Sequence, residues 1–160
     1  MCLTRTLVFG CCFALAVGGV MPAVAQETVD PIVKKLDERM GQFLEQVSTK
    51  FVAEAYTDLL KGGHLATRAA DVTALTEKTE QIQELYGDYL AFDRVYARRV
   101  GNDLVFLKYL YKCRYVPVLW HVTFYRAPER NETGPSSGNN WHVVAIRFDT
   151  NLEVLTLLQE

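Results

Sequence analysis

The chain reads as an α+β fold: a long N-terminal helix and a shorter helix packed on a curved, cone-like, antiparallel sheet of four to five strands. Three observations predict it. Apolar residues between Ile32 and Leu60 recur at steps of three and four, the spacing of one buried helix face. From Asp88 onward aromatic and β-branched residues dominate and the period falls to two, the alternation of strands. Turn-forming residues then punctuate the strands where hairpins need them, as at Gly101-Asn102-Asp103. Helices followed by a meander place the helices on one face of the sheet.

The first helical stretch spans 30–60, as one helix or two end to end. Asp30 is its N-cap and Pro31 sits at the first helical position, where the missing N–H costs nothing. Gly41 is a point at which the opening turns can bend away. Gly62-Gly63 closes the stretch, because glycine accepts the left-handed conformation of a last turn. A second helix is expected over 68–85, capped by Thr67 and stopped by Gly87, with a split into 68–75 and 76–85 as the alternative.

The strands are expected at 89–100, 104–114, 115–127 and 141–149. Pro117 marks a strand start, an edge or a bulge, since it cannot donate to a ladder. Residues 128–140 form a polar loop. Asp149-Thr150-Asn151 turns the chain into a short last strand at 152–158.

Residues 1–25 read as a cleavable secretory signal, leaving 26–160 as a single domain. Arg5 precedes an uncharged apolar run from Leu7 to Val20, and Ala23-Val24-Ala25 fits the small-residue cleavage pattern. That run is shorter than the ~20 residues a membrane-spanning helix needs. A retained anchor and lipidation at Cys11 or Cys12 are the alternatives. Cleavage removes Cys2, Cys11 and Cys12 and leaves Cys113, a single thiol that cannot staple the fold and that reads as a small buried hydrophobe. The expected location is exported, periplasmic or extracellular, with no integral membrane segment after the signal.

Beyond the signal, 16 basic residues stand against 19 acidic ones. With that mild acidity and no basic stripe, nucleic acid is not an expected partner. The chain has no nucleophile elbow, no phosphate-binding glycine loop and no paired Cys-x-x-Cys. No cofactor, metal or catalytic residue is therefore assigned. Asn131-Glu132-Thr133 is a formal glycosylation sequon.

Strand parity places Val118, Trp120, Val122 and Phe124 on one face and Leu119, His121, Thr123 and Tyr125 on the other. In the last long strand it sets Trp141, Val143 and Ala145 against His142, Val144, Ile146 and Phe148. Both faces are then largely apolar, so the one without helices needs a cover. His121 and His142 share a face with Tyr125. As strand histidines they read first as half-buried groups bonded to neighbours, and second as a pH-sensitive pair in a pocket. Trp120 and Trp141 read as core. Arg94, Arg98, Arg99, Lys108, Lys112 and Arg114 read as alternating charges on a solvated strand face rather than an anion site.

The helix ending in Gly-Gly, Tyr86-Gly87 before the first strand, the Val100-Gly101-Asn102-Asp103-Leu104 hairpin, the run Leu119-Trp120-His121-Val122-Thr123-Phe124-Tyr125 and the Trp141-initiated strand together resemble the nuclear-transport-factor-two-like fold. This is the cystatin-like group that includes SnoaL-like proteins and ketosteroid isomerases. The resemblance covers about residues 40–158. It implies a cone whose cavity holds a small hydrophobic molecule, and a homodimer formed through the back of the sheet. The ketosteroid-isomerase-like enzymes of the group use an aspartate base with tyrosine and acid donors, but no matching motif carries those roles onto this chain.

The expected function is an exported non-catalytic module that binds a small molecule or a protein. The alternative is a small isomerase, dehydratase or hydrolase with its site in the helix–sheet cavity. Asp93, Tyr109, His121, Tyr125 and His142 are the candidate cavity residues for either.

Overall fold

The computed structural model describes residues 30–126, 140–153 and 155. The signal, its cleavage site, most of the 128–140 loop and the sequon lie outside them. The fold is α+β: helices packed on a four-stranded antiparallel sheet in the order β1-β2-β3-β4. The helices are α1 (Pro31–Ser48), α2 (Val52–Leu60), α3 (Ala69–Glu80) and α4 (Ile82–Tyr86), with a 3-10 turn at His64–Thr67. The strands are β1 (Tyr89–Val100), β2 (Leu104–Cys113), β3 (Val118–Arg126) and β4 (Trp141–Asp149). Among the described residues no helix is long and apolar enough to cross a membrane.

Asp30 caps α1 as expected: its Oδ1 accepts the Ile32 N–H at 2.8 Å, and Arg99 pairs with the same carboxylate at 2.8 Å. The helix runs straight through Gly41 and breaks later, at 49–51. Ser48 and Thr49 turn their hydroxyls back onto the Glu45 and Gln46 carbonyls, and the Phe51 N–H closes onto the Gln46 carbonyl. This closure requires a left-handed residue, and Lys50 supplies it at φ 68°. No glycine signals the break. The second helical stretch divides at Gln81, and Thr67 belongs to the 3-10 turn rather than capping α3.

β3 begins at Val118 rather than at 115. The Arg114 and Tyr115 N–H groups are engaged by the Asp88 and Tyr86 carbonyls, and Pro117 has none to give. A last strand does not form at its expected start. Asp149 Oδ1 accepts the Asn151 N–H and Asn151 Oδ1 accepts the Glu153 N–H, and these two side-chain turns carry Leu152, Glu153 and Leu155 into 3-10 geometry.

The inner face of the sheet is the core. Val105, Leu107, Tyr109 and Tyr111 of β2 stand beside Phe124, Val122, Trp120 and Val118 of β3, all buried. The parity expected for β4 fails in its middle. Thr123 pairs with Ala145 but Phe124 pairs with Val143, so Val144 is an extra, bulged residue. The bulge sends Ile146 and Phe148 to the same face as Trp141 and Val143 and leaves Ala145 exposed. Phe148 can thus lie on Trp120 at 4.6 Å between ring centroids, while Phe43 meets the indole edge-on at 5.4 Å. Both tryptophans are core residues, and so is Cys113, a free buried thiol whose pKa burial raises.

Arg39 ties the layers together. It donates to the Trp141 carbonyl at 2.9 Å and to the Leu59 carbonyl, and it lies over the Phe124 ring. A cation on the last carbonyls of α2 also suits the negative end of that helix.

Candidate functional site

Two polar assemblies interrupt the apolar inner face. In the first, the Tyr109 hydroxyl donates to Asp37 Oδ1 at 2.6 Å, and Arg94 meets Asp37 Oδ2 at 2.8 Å. Burial, and then the Asp37 carboxylate, push the Tyr109 pKa far up, so the phenol stays protonated and acts as a donor. Both carboxylate oxygens are occupied and Tyr109 is 1% exposed. The assembly clamps α1 onto β1 and β2.

The second assembly surrounds a cavity of about 480 Å³ where α1 ends, α2 begins and α3 passes into α4. Its wall is Val47, Val52, Ile82 and Tyr111, with Thr79 and Gln83; Lys50, Glu80, Glu84 and Asp88 form an exposed rim. That volume lies within the ~300–1,000 Å³ of small-molecule sites. The Thr79 hydroxyl is already committed, to the Leu75 carbonyl at 2.7 Å and to the Tyr56 hydroxyl at 2.9 Å. The Gln83 amide donates to the Ser48 carbonyl at 2.9 Å.

Tyr111 is different. It is fully buried, and its hydroxyl has no hydrogen-bond partner. Gln83 is near enough to offset part of the rise that burial imposes on the Tyr111 pKa, but one of its two amide N–H groups goes to Ser48 and the other is not placed to make a well-formed bond to the phenol. A buried hydroxyl usually has a partner, because stranding one costs about 1–3 kcal/mol.

The candidate residues named from sequence do not gather in this cavity. Tyr109 alone points inward. Asp93 lies on the outer face, paired with Lys112. His121, 9% exposed, is also on the outer face, in a second recess of about 300 Å³ with Phe106, Lys108, Thr123 and Arg147. Its Nε2 is 3.7 Å from Asp149, and burial followed by Arg147 and Lys108 pushes its pKa down. Tyr125 is 38% exposed and opposes His142 across β3 and β4. His142 packs against the end of α2: a Cβ on Gly63 would lie 3.2 Å from the His142 Cβ. Glycine there lets the chain leaving α2 rest on the His142 side chain, whose ring lies against Gly62.

Most of the basic residues of β1, β2 and the turn after it are engaged by separate partners. Arg94 pairs with Asp37, Arg99 with Asp30, Lys112 with Asp93 and Arg114 with Asp88, while Lys108 lies over the Tyr96 ring. Among the described residues no group of three or more His, Cys, Asp or Glu is placed to hold a metal ion.

The cavity residues Tyr111, Gln83, Thr79 and Lys50 were not legible as a site. Tyr111 carries the one usable signal, a tyrosine at a core parity position whose hydroxyl must find a partner. Compared with protein-family models, with curated proteins and with solved structures, the chain matches none.

Proposed function

We propose that this chain is an exported, non-catalytic module that binds a small, largely apolar molecule in the cavity beside Tyr111. The observation that carries the reading is the unpartnered, fully buried Tyr111 hydroxyl at the wall of an open cavity. A ligand that hydrogen-bonds it removes a standing desolvation cost and rests against Val47, Val52 and Ile82, which the fold already buries. The likeness of the sequence to nuclear-transport-factor-two-like domains supports the same reading. The buried tyrosines support binding over catalysis: Tyr56, Tyr109 and Tyr111 all have pKa values raised first by burial, so none is poised as a base.

Ligand-observed NMR with a library of small aromatic and aliphatic fragments tests the proposal on the purified chain and on Tyr111→Phe. The expected result is a set of mutually competing fragments, with the hydroxyl- and carbonyl-bearing ones weakened in Tyr111→Phe. No binding, or equal binding of every fragment to both proteins, overturns it. Export rests on the Leu7–Ala25 pattern, and amino-terminal sequencing of the protein recovered outside the cytoplasm should begin at Gln26. Pairing of two copies through the outer face rests on the resemblance, and sedimentation equilibrium of the purified chain measures it directly.

A further inference from the structure

We infer, resting on the binding reading above, that the ligand is a small cationic amphiphile: an ammonium at the rim, an apolar body, and a neutral hydroxyl or amide at the inner end. Two independent features of the cavity set these demands.

The inner end is defined by what remains unspent. The Thr79 hydroxyl bonds Leu75 and Tyr56, and one Gln83 N–H bonds Ser48. What is left is the Tyr111 hydroxyl and, on Gln83, the second amide N–H and the carbonyl oxygen, so the pair can both donate and accept. A group that both accepts and donates satisfies the pair; a hydroxyl or an amide does so, and a methyl does not. A carboxylate would have to be buried on neutral donors alone, with no cation at that depth, which is costly.

The outer end is defined by charge. Glu80, Glu84 and Asp88 face the opening against Lys50 alone. Arg114, 3.8 Å from Asp88, offsets part of one acid and leaves Glu80 and Glu84. Glu80 ends α3 and Glu84 lies in α4, and both belong to the exposed rim. Their field favours a cation and disfavours an anion, and solvent exposure keeps the preference modest and salt-dependent.

Four matched probes separate the two demands on the purified chain: tyramine, para-ethylphenol without the charge, phenethylamine without the hydroxyl, and para-hydroxyphenylpropionate with the charge reversed. Tyramine is expected to bind tightest, roughly three- to tenfold above para-ethylphenol, with the propionate weakest. The double variant Glu80→Gln/Glu84→Gln, altered only at exposed positions, should close the gap between tyramine and para-ethylphenol and leave para-ethylphenol unchanged. Tyr111→Phe should close the gap between tyramine and phenethylamine. If para-ethylphenol equals tyramine, if the propionate binds best, or if the double variant keeps the gap, the cationic assignment falls while the binding site stands. If none of the four binds, both fall.

Discussion

Trp120 and Tyr111 stand on neighbouring strands and point to the same side of the sheet, yet they end in opposite surroundings. Trp120 is enclosed: Phe43 meets it edge-on and the bulge at Val144 delivers Phe148 onto its other side, although its indole N–H, like the Tyr111 hydroxyl, has no hydrogen-bond partner. Tyr111, fully buried as well, reaches the wall of a cavity with its hydroxyl unmatched. The pairing of β2 with β3 is unbroken through both places, and the larger difference lies in the helix layer. Over Trp120 that layer is continuous, and Arg39 fastens it to β4 through the Trp141 carbonyl. Near Tyr111 it is broken at Lys50 and again at Gln81. One sheet face thus builds a core at one end and a site at the other, according to where its helices stop.

The largest effect should come from the closed end. Trp120→Ala removes the ring on which Phe43 and Phe148 converge, and a cavity there cannot be filled by moving a sheet strand. We expect a loss of about 3–5 kcal/mol, read by urea denaturation. A loss below about 1 kcal/mol would mean that the two ends are packed alike.

Next comes the clamp between them. Tyr109→Phe keeps the ring and deletes the 2.6 Å bond to Asp37. Asp37 retains Arg94, so the expected cost is that of one hydrogen bond to a charged group, about 1.5–3 kcal/mol by the same measurement.

The break at Lys50 is expected to respond in the opposite direction. At φ 68° a lysine is strained and a glycine is not, so Lys50→Gly should stabilise by about 0.5–1 kcal/mol, partly offset by added freedom in the unfolded chain. Destabilisation would show that the side chain, rather than the backbone, holds the opening in place.

These positions also mark how far the sequence could be read. Regular alternation from Leu104 to Tyr111 and from Val118 to Phe124 identified the inner face, because a buried strand face repeats with period two. The β4 parity failed at Val144, where one bulged residue reverses every side chain after it and no glycine announces the change. The helix break was hidden for the same reason, since a lysine adopted the conformation that glycine signals. The outer face was read as largely apolar, but it is laced with Lys112–Asp93 and with Lys108 over Tyr96, pairs that exist only once the register is known. The cavity was the least legible feature, being made by absence at two helix ends that cannot be located to the residue from periodicity.

The outer face adds a smaller, pH-linked contrast, carried by one partly screened group. Burial, with Arg147 and Lys108 beside it, holds the His121 pKa below its ordinary 6.5, against the weaker pull of Asp149. The unfolded chain therefore binds the proton first as pH falls. The contribution of His121 is complete above about pH 6.5 and is lost as pH drops toward its folded value. His121→Gln should flatten the stability profile below pH 6.5 and leave it unchanged above.

The smallest effect on stability should be at Tyr111 itself, and its smallness is what separates the two tyrosines of β2. Tyr109 and Tyr111 are both buried on one face of one strand, and Phe replaces each with loss of a single oxygen. At Tyr109 that oxygen is bonded to a carboxylate, and at Tyr111 it has no partner. Removing an unpaired buried hydroxyl relieves its desolvation and forfeits nothing, so Tyr111→Phe should unfold within about 0.5 kcal/mol of the parent, or slightly above it. The same variant should lose the hydroxyl-dependent part of ligand affinity. A cost near that of Tyr109→Phe would instead mean that Gln83 turns to Tyr111 in solution. The hydroxyl would then be bonded within the fold, with nothing left over for a ligand.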